Sequence, residues 1–272
     1  MTTTATAAEI ATYRERGYVL PDRPLFAPDD FAALRERFAA IESDAAATYG
    51  IEPEQLDKPH FLYPDLFAWL MHPRVLDLVE GFIGPDIGLF TSHFISKPAR
   101  TGKRVPWHED SSYWRRLFEP IDDICTVWLA IDPSTTANGC LRVVPGSHRN
   151  GYSRYSPVAD PAAAVFGSEI DADQMDAASA VDLVLEPNRC SVHHARIIHG
   201  SEPNRSAQRR CGFTMRYFST RCRFEPAAMP DTFRIFLARG RDHAGNRYAE
   251  PGIANQAWID ELLAGRVQRS HL

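Results

Sequence analysis

The chain has 272 residues, 44% of them hydrophobic and 24% charged, with a formal net charge of −5. That length is ample for one large core, and no internal repeat or low-complexity linker divides it, so a single domain over 1–272 is expected. No block of like charge points to nucleic acid or a membrane surface, and no apolar run is long enough to span a bilayer.

The first residues, MTTTATAAEIATYRERGYVL, lack a basic stretch followed by an apolar core, so they do not read as a secretory signal. Residues 1–87 read as mostly helical. In APDDFAALRERFAAIESD, Asp29 or Asp30 is the expected N-cap, and Phe31, Leu34, Phe38 and Ile41 follow at helical spacing. In HPRVLDLVEGFIGPDI, Val75, Leu78, Val79 and Phe82 share a face, and Gly84-Pro85 stops the helix.

From Gly88 the pattern changes to short extended runs separated by turn residues. These are IGLFTSHFISKP, DICTVWLAID, CLRVVPGSH, VDLVLEP, CSVHHARIIHG and RRCGFTMRYFS, with the turn-rich PSTTANG and PGSHRNG between some of them. Helices followed by many strands predict a mainly β protein with flanking α. Its core over 88–220 reads as a β-sandwich or a jelly roll (a cupin-like double-stranded β-helix), with a helical layer on the outer sheet. Residues 152–180, polar and rich in Ala and Asp, are too long for a plain connection and read as a lid or a surface insertion. Residues 221–272 form a C-terminal segment. The five cysteines form no CxxC pair; reduced, mostly buried thiols in a cytoplasmic protein are expected.

The chemistry begins at PWHEDSSYW. Read as a strand, it puts His108 and Asp110 at i and i+2, on one side. Alone, such a pair is as well explained by a surface His–Asp contact. Support comes from CSVHHARIIHG, where one continuous strand would carry His193, Ala195, Ile197 and His199 on one face, with His199 at its end. On the return strand Arg210, Gly212, Thr214 and Arg216 share one face, and Phe213, Met215 and Tyr217 share the other. The apolar face belongs on the helices and the polar face inside the barrel, where a buried arginine requires an anion. Two imidazoles and one carboxylate with positions left open are the ligand set of non-haem Fe(II) oxygenases. Zinc takes the same ligand types but has no use for a carboxylate-binding arginine. A non-catalytic cupin-like binding protein and a zinc hydrolase on the same scaffold are the rival readings.

Four ordered motifs carry a resemblance that covers most of the chain: ERGYVLPDRPLFAPDDF, ISKPARTGKRVPWHEDSSYW, VWLAIDPSTTANGCLRVVPGSHRNG and HGSEPNRSAQRRCGFTMRY. Together they resemble the phytanoyl-CoA dioxygenase (PhyH-like) family of Fe(II)/2-oxoglutarate oxygenases. The resemblance implies His108, Asp110 and His199 as iron ligands. It implies Arg210 as the partner of the distal 2-oxoglutarate carboxylate, with Ser201 and Lys97 as further cosubstrate-pocket residues. Trp128 and Asn138-Gly139 match the family as well and read as scaffold. His148 matches a loop histidine that is not a ligand; His93, His193 and His194 read as polar packing residues, and Arg196 as a surface or sheet-packing residue. The chain departs from the family at Pro187-Asn188-Arg189, where Pro-Gly-Asp is common, but Asn tolerates a left-handed turn. Halogenating relatives lack the carboxylate; Asp110 keeps it, so hydroxylation or a related oxidation is expected. The implied cosubstrates are 2-oxoglutarate and O2, and the products include succinate and CO2. The flank of the site, Trp107, Tyr113 and Trp114 together with Arg216, reads as the substrate side, for a small polar metabolite or natural-product intermediate. Neither nucleic acid nor membrane is expected as a partner.

Overall fold

The computed structural model describes residues 4–266. Two sheets face each other around a cavity. The elements before them are α1 (Ala7–Arg16), β1 (Tyr18–Val19), α2 (Pro28–Tyr49), β2 (Leu56–Asp57), α3 (Pro59–Leu62), α4 (Phe67–Leu70) and α5 (Pro73–Ile83). There follow β3 (Ile87–Lys97), β4 (Val105–His108), α6 (Ser111–Trp114), β5 (Phe118–Glu119), β6 (Ile124–Ala130) and β7 (Leu141–Val143). Next come β8 (Tyr155–Pro157), β9 (Ser168–Ile170), β10 (Val181–Leu183), β11 (Cys190–His194), β12 (His199–Ser201) and β13 (Arg210–Ser219). The last are β14 (Arg223–Phe224), β15 (Phe236–Arg239) and α7 (Gln256–Leu263).

The major sheet runs β1-β11-β6-β13-β3-β15, with β2 added on β3; the minor sheet runs β10-β7-β12-β4. Every pairing within them is antiparallel. This is the expected jelly-roll core, but its major sheet is wider than residues 88–220. Its edges β1, β2 and β15 come from the N-terminal and C-terminal segments, which cover backbone that would otherwise be left unpaired.

The long β13 shows why the sheet has two unlike faces. Phe213, Met215 and Tyr217 are fully buried in the main core, where Phe94 stacks on Phe213 at 4.2 Å and Phe38 of α2 meets Phe94 at 4.6 Å. Helix α2 lays Phe31, Leu34, Phe38, Ile41 and Ala45 on that face. Its start differs from expectation: Pro28 takes the first helical position and Ala27 is the N-cap. Proline's fixed φ suits that position, so Asp29 and Asp30 fall in the first turn and act there by charge on the helix end. Helix α5 buries Val75, Leu76, Leu78, Val79 and Ile83, with Phe82 only partly buried against the same core.

Asn188 does adopt the left-handed conformation, at φ 67°, and its side chain exchanges hydrogen bonds with the backbone of Phe26 at 2.9 and 3.0 Å. All five cysteines are free and buried. Among the described residues no helix is long and apolar enough to cross a membrane.

Candidate metal centre

His108 ends β4, and the chain turns away at once. Asp110 has helical φ and ψ (−56°, −35°) and caps the single turn α6, so it does not share a strand with His108. The two side chains still converge because the turn folds Asp110 back over the strand end. CSVHHARIIHG is also not one strand. It breaks at Ala195-Arg196, where Ile197 N donates to His194 O at 3.0 Å and Arg196 N to His194 Nδ1 at 3.0 Å. The break moves the chain from the major sheet (β11) to the minor sheet (β12), so His193 and His199 enter the cavity from different walls. Ala195 and Ile197 go into apolar packing instead. The broken segment is tied to the turn carrying Asp110 through Ser111 N and Ala195 O, 2.8 Å apart.

His108 and His199 are directly opposed in the β4–β12 pair. Each ring's Nδ1 lies against a backbone carbonyl, Pro106 O at 2.8 Å and Ile197 O at 3.0 Å. That contact places the proton on Nδ1 and leaves Nε2 as the basic nitrogen. The two Nε2 atoms stand 3.8 and 4.0 Å from Asp110 Oδ1. One donor atom from each of the three residues lies within 4.8 Å of the others, and all three residues are buried. Among the described residues this is the one group of three or more His, Cys, Asp or Glu with such convergence. Two neutral imidazoles with fixed tautomers and one carboxylate oxygen fit a divalent transition metal on one triangular face, with the opposite side open to the cavity.

The cavity has a volume of about 500 Å³. At one end stand two basic side chains, Arg210 and Lys97. Arg210 is fully buried; its Nε and Nη2 donate to Gly139 O at 3.2 and 2.9 Å, its Nη1 to Ile95 O at 3.2 Å, and its guanidinium lies 5.4 Å over Trp128. Lys97 faces Arg210 in the β3–β13 register, and its Nζ donates to the carbonyls of Ser201, at 3.4 Å, and Glu202. Burial and the neighbouring guanidinium push the Lys97 pKa down to about 6, and burial pushes Arg210 down to about 10. Neither makes an ion pair within 4 Å among the described residues, and both are held by carbonyls where a carboxylate would be compensated. Ser201, at the end of β12, also lines this end. Gly139 is more than scaffold: at φ +79° it brings its carbonyl to Arg210, and a Cβ there would sit 2.3 Å from Glu202 O.

The lining beside the triad includes Tyr113, Trp114 and Arg216. Trp107 does not line the cavity. It sits on the opposite face of β4, packed with Val144, Ile170 and Ile198, with the Arg142 guanidinium 5.4 Å from its ring. Alternation along the strand sends Trp107 outward for the same reason that it sends His108 inward. Arg115 lies 5.5 Å from the Tyr152 ring and Arg196 4.8 Å from it, with Arg196 also paired to Asp122 at 2.8 Å, both outside the cavity lining.

The segment 152–180 holds the hairpin β8–β9 and delivers Phe166 to the site, 4.9 Å from the His108 ring and 5.8 Å from Tyr113. It is fastened to the metal-bearing turn. Glu109, fully buried between the two ligands, accepts from Ser153 N at 2.8 Å and Ser153 Oγ at 3.2 Å, and Tyr155 Oη accepts from Glu109 N at 3.1 Å. Phe166 and His193 were not singled out as site residues. No local pattern marks Phe166, and the strand break that frees His193 depends on which sheet each half joins. His148, as expected, is a packing residue, its Nε2 on Arg14 O at 3.2 Å.

The phytanoyl-CoA dioxygenase (PhyH) family model matches residues 13–212. The chain belongs to the phytanoyl-CoA dioxygenase family. A Caenorhabditis elegans family member named Probable phytanoyl-CoA dioxygenase is 34% identical over 154 residues, 53% of this chain and 47% of its own length. A Stutzerimonas stutzeri protein named Probable alpha-ketoglutarate-dependent hypophosphite dioxygenase is 26% identical over 215 residues, 73% of each chain. Among solved structures, the apo non-haem monooxygenase ThoJ superposes with a TM-score of 0.68 at 25% identity, over 94% of this chain and 99% of that one. The chain spans about half the length of the Caenorhabditis elegans relative.

Proposed function

We propose that this protein is an Fe(II)- and 2-oxoglutarate-dependent dioxygenase that hydroxylates, or otherwise oxidises, a small polar metabolite. The observation that carries the reading is one cavity holding both the His108–Asp110–His199 triangle and, at its far end, the basic Arg210–Lys97 pair. A pure binding protein has no use for the second feature, and a zinc hydrolase has none either.

Bound iron supplies the activation of dioxygen, which this chain's side chains cannot perform alone. The residues do the rest. His108 and His199 present Nε2 because Pro106 O and Ile197 O occupy their Nδ1 protons. Asp110 contributes Oδ1. Arg210 keeps donors beyond those given to Gly139 and Ile95, and a guanidinium fork matches a carboxylate. Lys97 lends a second positive charge once a bound anion restores its proton. Phe166, Tyr113 and Trp114 wall the metal side and limit water.

The deciding experiment is anaerobic. Purified protein receives Fe(II) and 2-oxoglutarate, and the weak visible charge-transfer band of the chelate is sought, with Arg210→Ala as control. A band that weakens in the variant supports the reading. Absence of the band in protein that binds Fe(II) overturns it.

A further inference from the structure

Six residues beyond Arg210 on β13, about 20 Å along the strand, Arg216 faces the same cavity. Its neighbours across the sheet are Thr126 on β6 and Thr91 on β3, and Thr126 in turn lies opposite His193 on β11. These four residues form one row across the major sheet, and all four line the cavity. The row is polar, and all but Arg216 are buried: Thr91 is 3% exposed, Thr126 1% and His193 2%, while the Arg216 side chain is 13% exposed. Three of its polar atoms, Arg216 Nε, Thr126 Oγ1 and His193 Nδ1, have no hydrogen-bond partner among the described residues.

A guanidinium cannot shed its charge, so burying one calls for an anion. Among the described residues the one ion pair Arg216 makes within 4 Å is with Asp110 Oδ2, at 3.7 Å, beyond hydrogen-bonding range. Asp110 is committed through its other oxygen to the metal site, and a divalent cation there takes up the charge that would otherwise balance Arg216. The guanidinium carbon lies 5.3 Å from the centroid of the Trp114 ring, a cation–π contact that supplies no anion. Arg210 cannot serve the same ligand. It stands at the other end of the cavity among carbonyls, and no five-carbon dicarboxylate reaches from one arginine to the other.

We propose that Arg216, with Thr91, Thr126 and His193 beside it, is the oxyanion subsite for the substrate. The substrate class is then a small molecule carrying a carboxylate or an oxyanion of similar shape, held next to the metal on the side away from 2-oxoglutarate. This rests on the oxygenase reading above.

The test uses the full chain loaded anaerobically with Fe(II) and 2-oxoglutarate, so that Arg210 is already occupied. Acetate, sulfate and neutral acetamide are titrated in turn, followed by tryptophan fluorescence and by the chelate band. Saturable binding of acetate or sulfate is expected, with no response to acetamide. Arg216→Met and Arg216→Gln should weaken the anion at least tenfold, and Arg216→Lys should keep it within a few-fold. Near-ultraviolet circular dichroism selects the variants that are folded. Equal affinity in wild type and folded Arg216→Gln, an equal response to acetamide, or anions that act only by displacing 2-oxoglutarate would each overturn the proposal. If the chelate band never forms, the oxygenase reading fails. The anion titration on protein holding Fe(II) alone then still reads Arg216 separately.

Discussion

Asp110 faces three neighbours with its two carboxylate oxygens. Oδ1 faces the Nε2 atoms of His108 and His199 at 3.8 and 4.0 Å, and Oδ2 faces Nε of Arg216 at 3.7 Å. Oδ1 is the oxygen turned toward both imidazoles and Oδ2 is turned toward the cavity side that holds Arg216, so Asp110 would offer a metal one oxygen rather than two. A single-oxygen ligand leaves room for a bidentate cosubstrate on the same ion.

Asp110→Asn keeps the shape and removes the charge. Fe(II) affinity should fall on the order of tenfold to a hundredfold, as changes at and around metal ligands do, and turnover should be lost. Equilibrium titration of Fe(II) into the apo-protein measures the first effect. Unchanged affinity would remove Asp110 from the metal site.

Arg210→Lys keeps a charge but loses the fork. The apparent affinity for 2-oxoglutarate should drop about tenfold or more, equivalent to ~1.4 kcal/mol or above, with Fe(II) binding unaltered. Calorimetric titration of 2-oxoglutarate into protein loaded with a redox-inert divalent metal checks this. A matching loss of metal affinity would point to a collapsed fold instead.

Lys97 predicts a pH effect whose sign is fixed by its depressed pKa of about 6. In the unfolded chain an ordinary lysine keeps its proton to about pH 10. Between these values the unfolded state binds more protons, so Lys97 adds stability as pH rises from about 6 to about 10. Below pH 6 both states are protonated and the full cost of burying the ammonium is felt. The difference in urea midpoint between wild type and Lys97→Met should therefore be largest at pH 6, in favour of the methionine, and shrink as pH rises. Cosubstrate binding near pH 7.5 should take up a proton, seen as a buffer-dependent binding enthalpy. A buffer-independent enthalpy would show that Lys97 does not meet the anion.

Gly139→Ala should cost about 1–3 kcal/mol in stability, the range for a strained backbone position. The residue sits at φ +79°, and its new methyl would lie 2.3 Å from Glu202 O. Because Gly139 O receives two donors from Arg210, 2-oxoglutarate affinity should fall with it. Urea unfolding and cosubstrate titration on the same sample separate the two effects.

Much of this site could be read from the sequence because alternation is local. The period of two along RCGFTMRY is enough to send Arg210, Thr214 and Arg216 one way and Phe213, Met215 and Tyr217 the other. Asn188 was acceptable as a left-handed turn residue from its chemistry alone. The family motifs named His108, Asp110 and His199 and the arginine eleven residues on.

Tertiary structure decided the rest. Asp110 reaches the metal site from a turn, not from the strand, because α6 begins there. His193 and His199, six residues apart and on one face by simple counting, stand on different sheets because the chain breaks at Ala195-Arg196. Trp107 leaves the cavity and Phe166 enters it from more than fifty residues away. These outcomes depend on which strand pairs with which and on how the two sheets face each other. Pairing across long sequence separations is set by the packing of the whole core, and no neighbouring residue carries it.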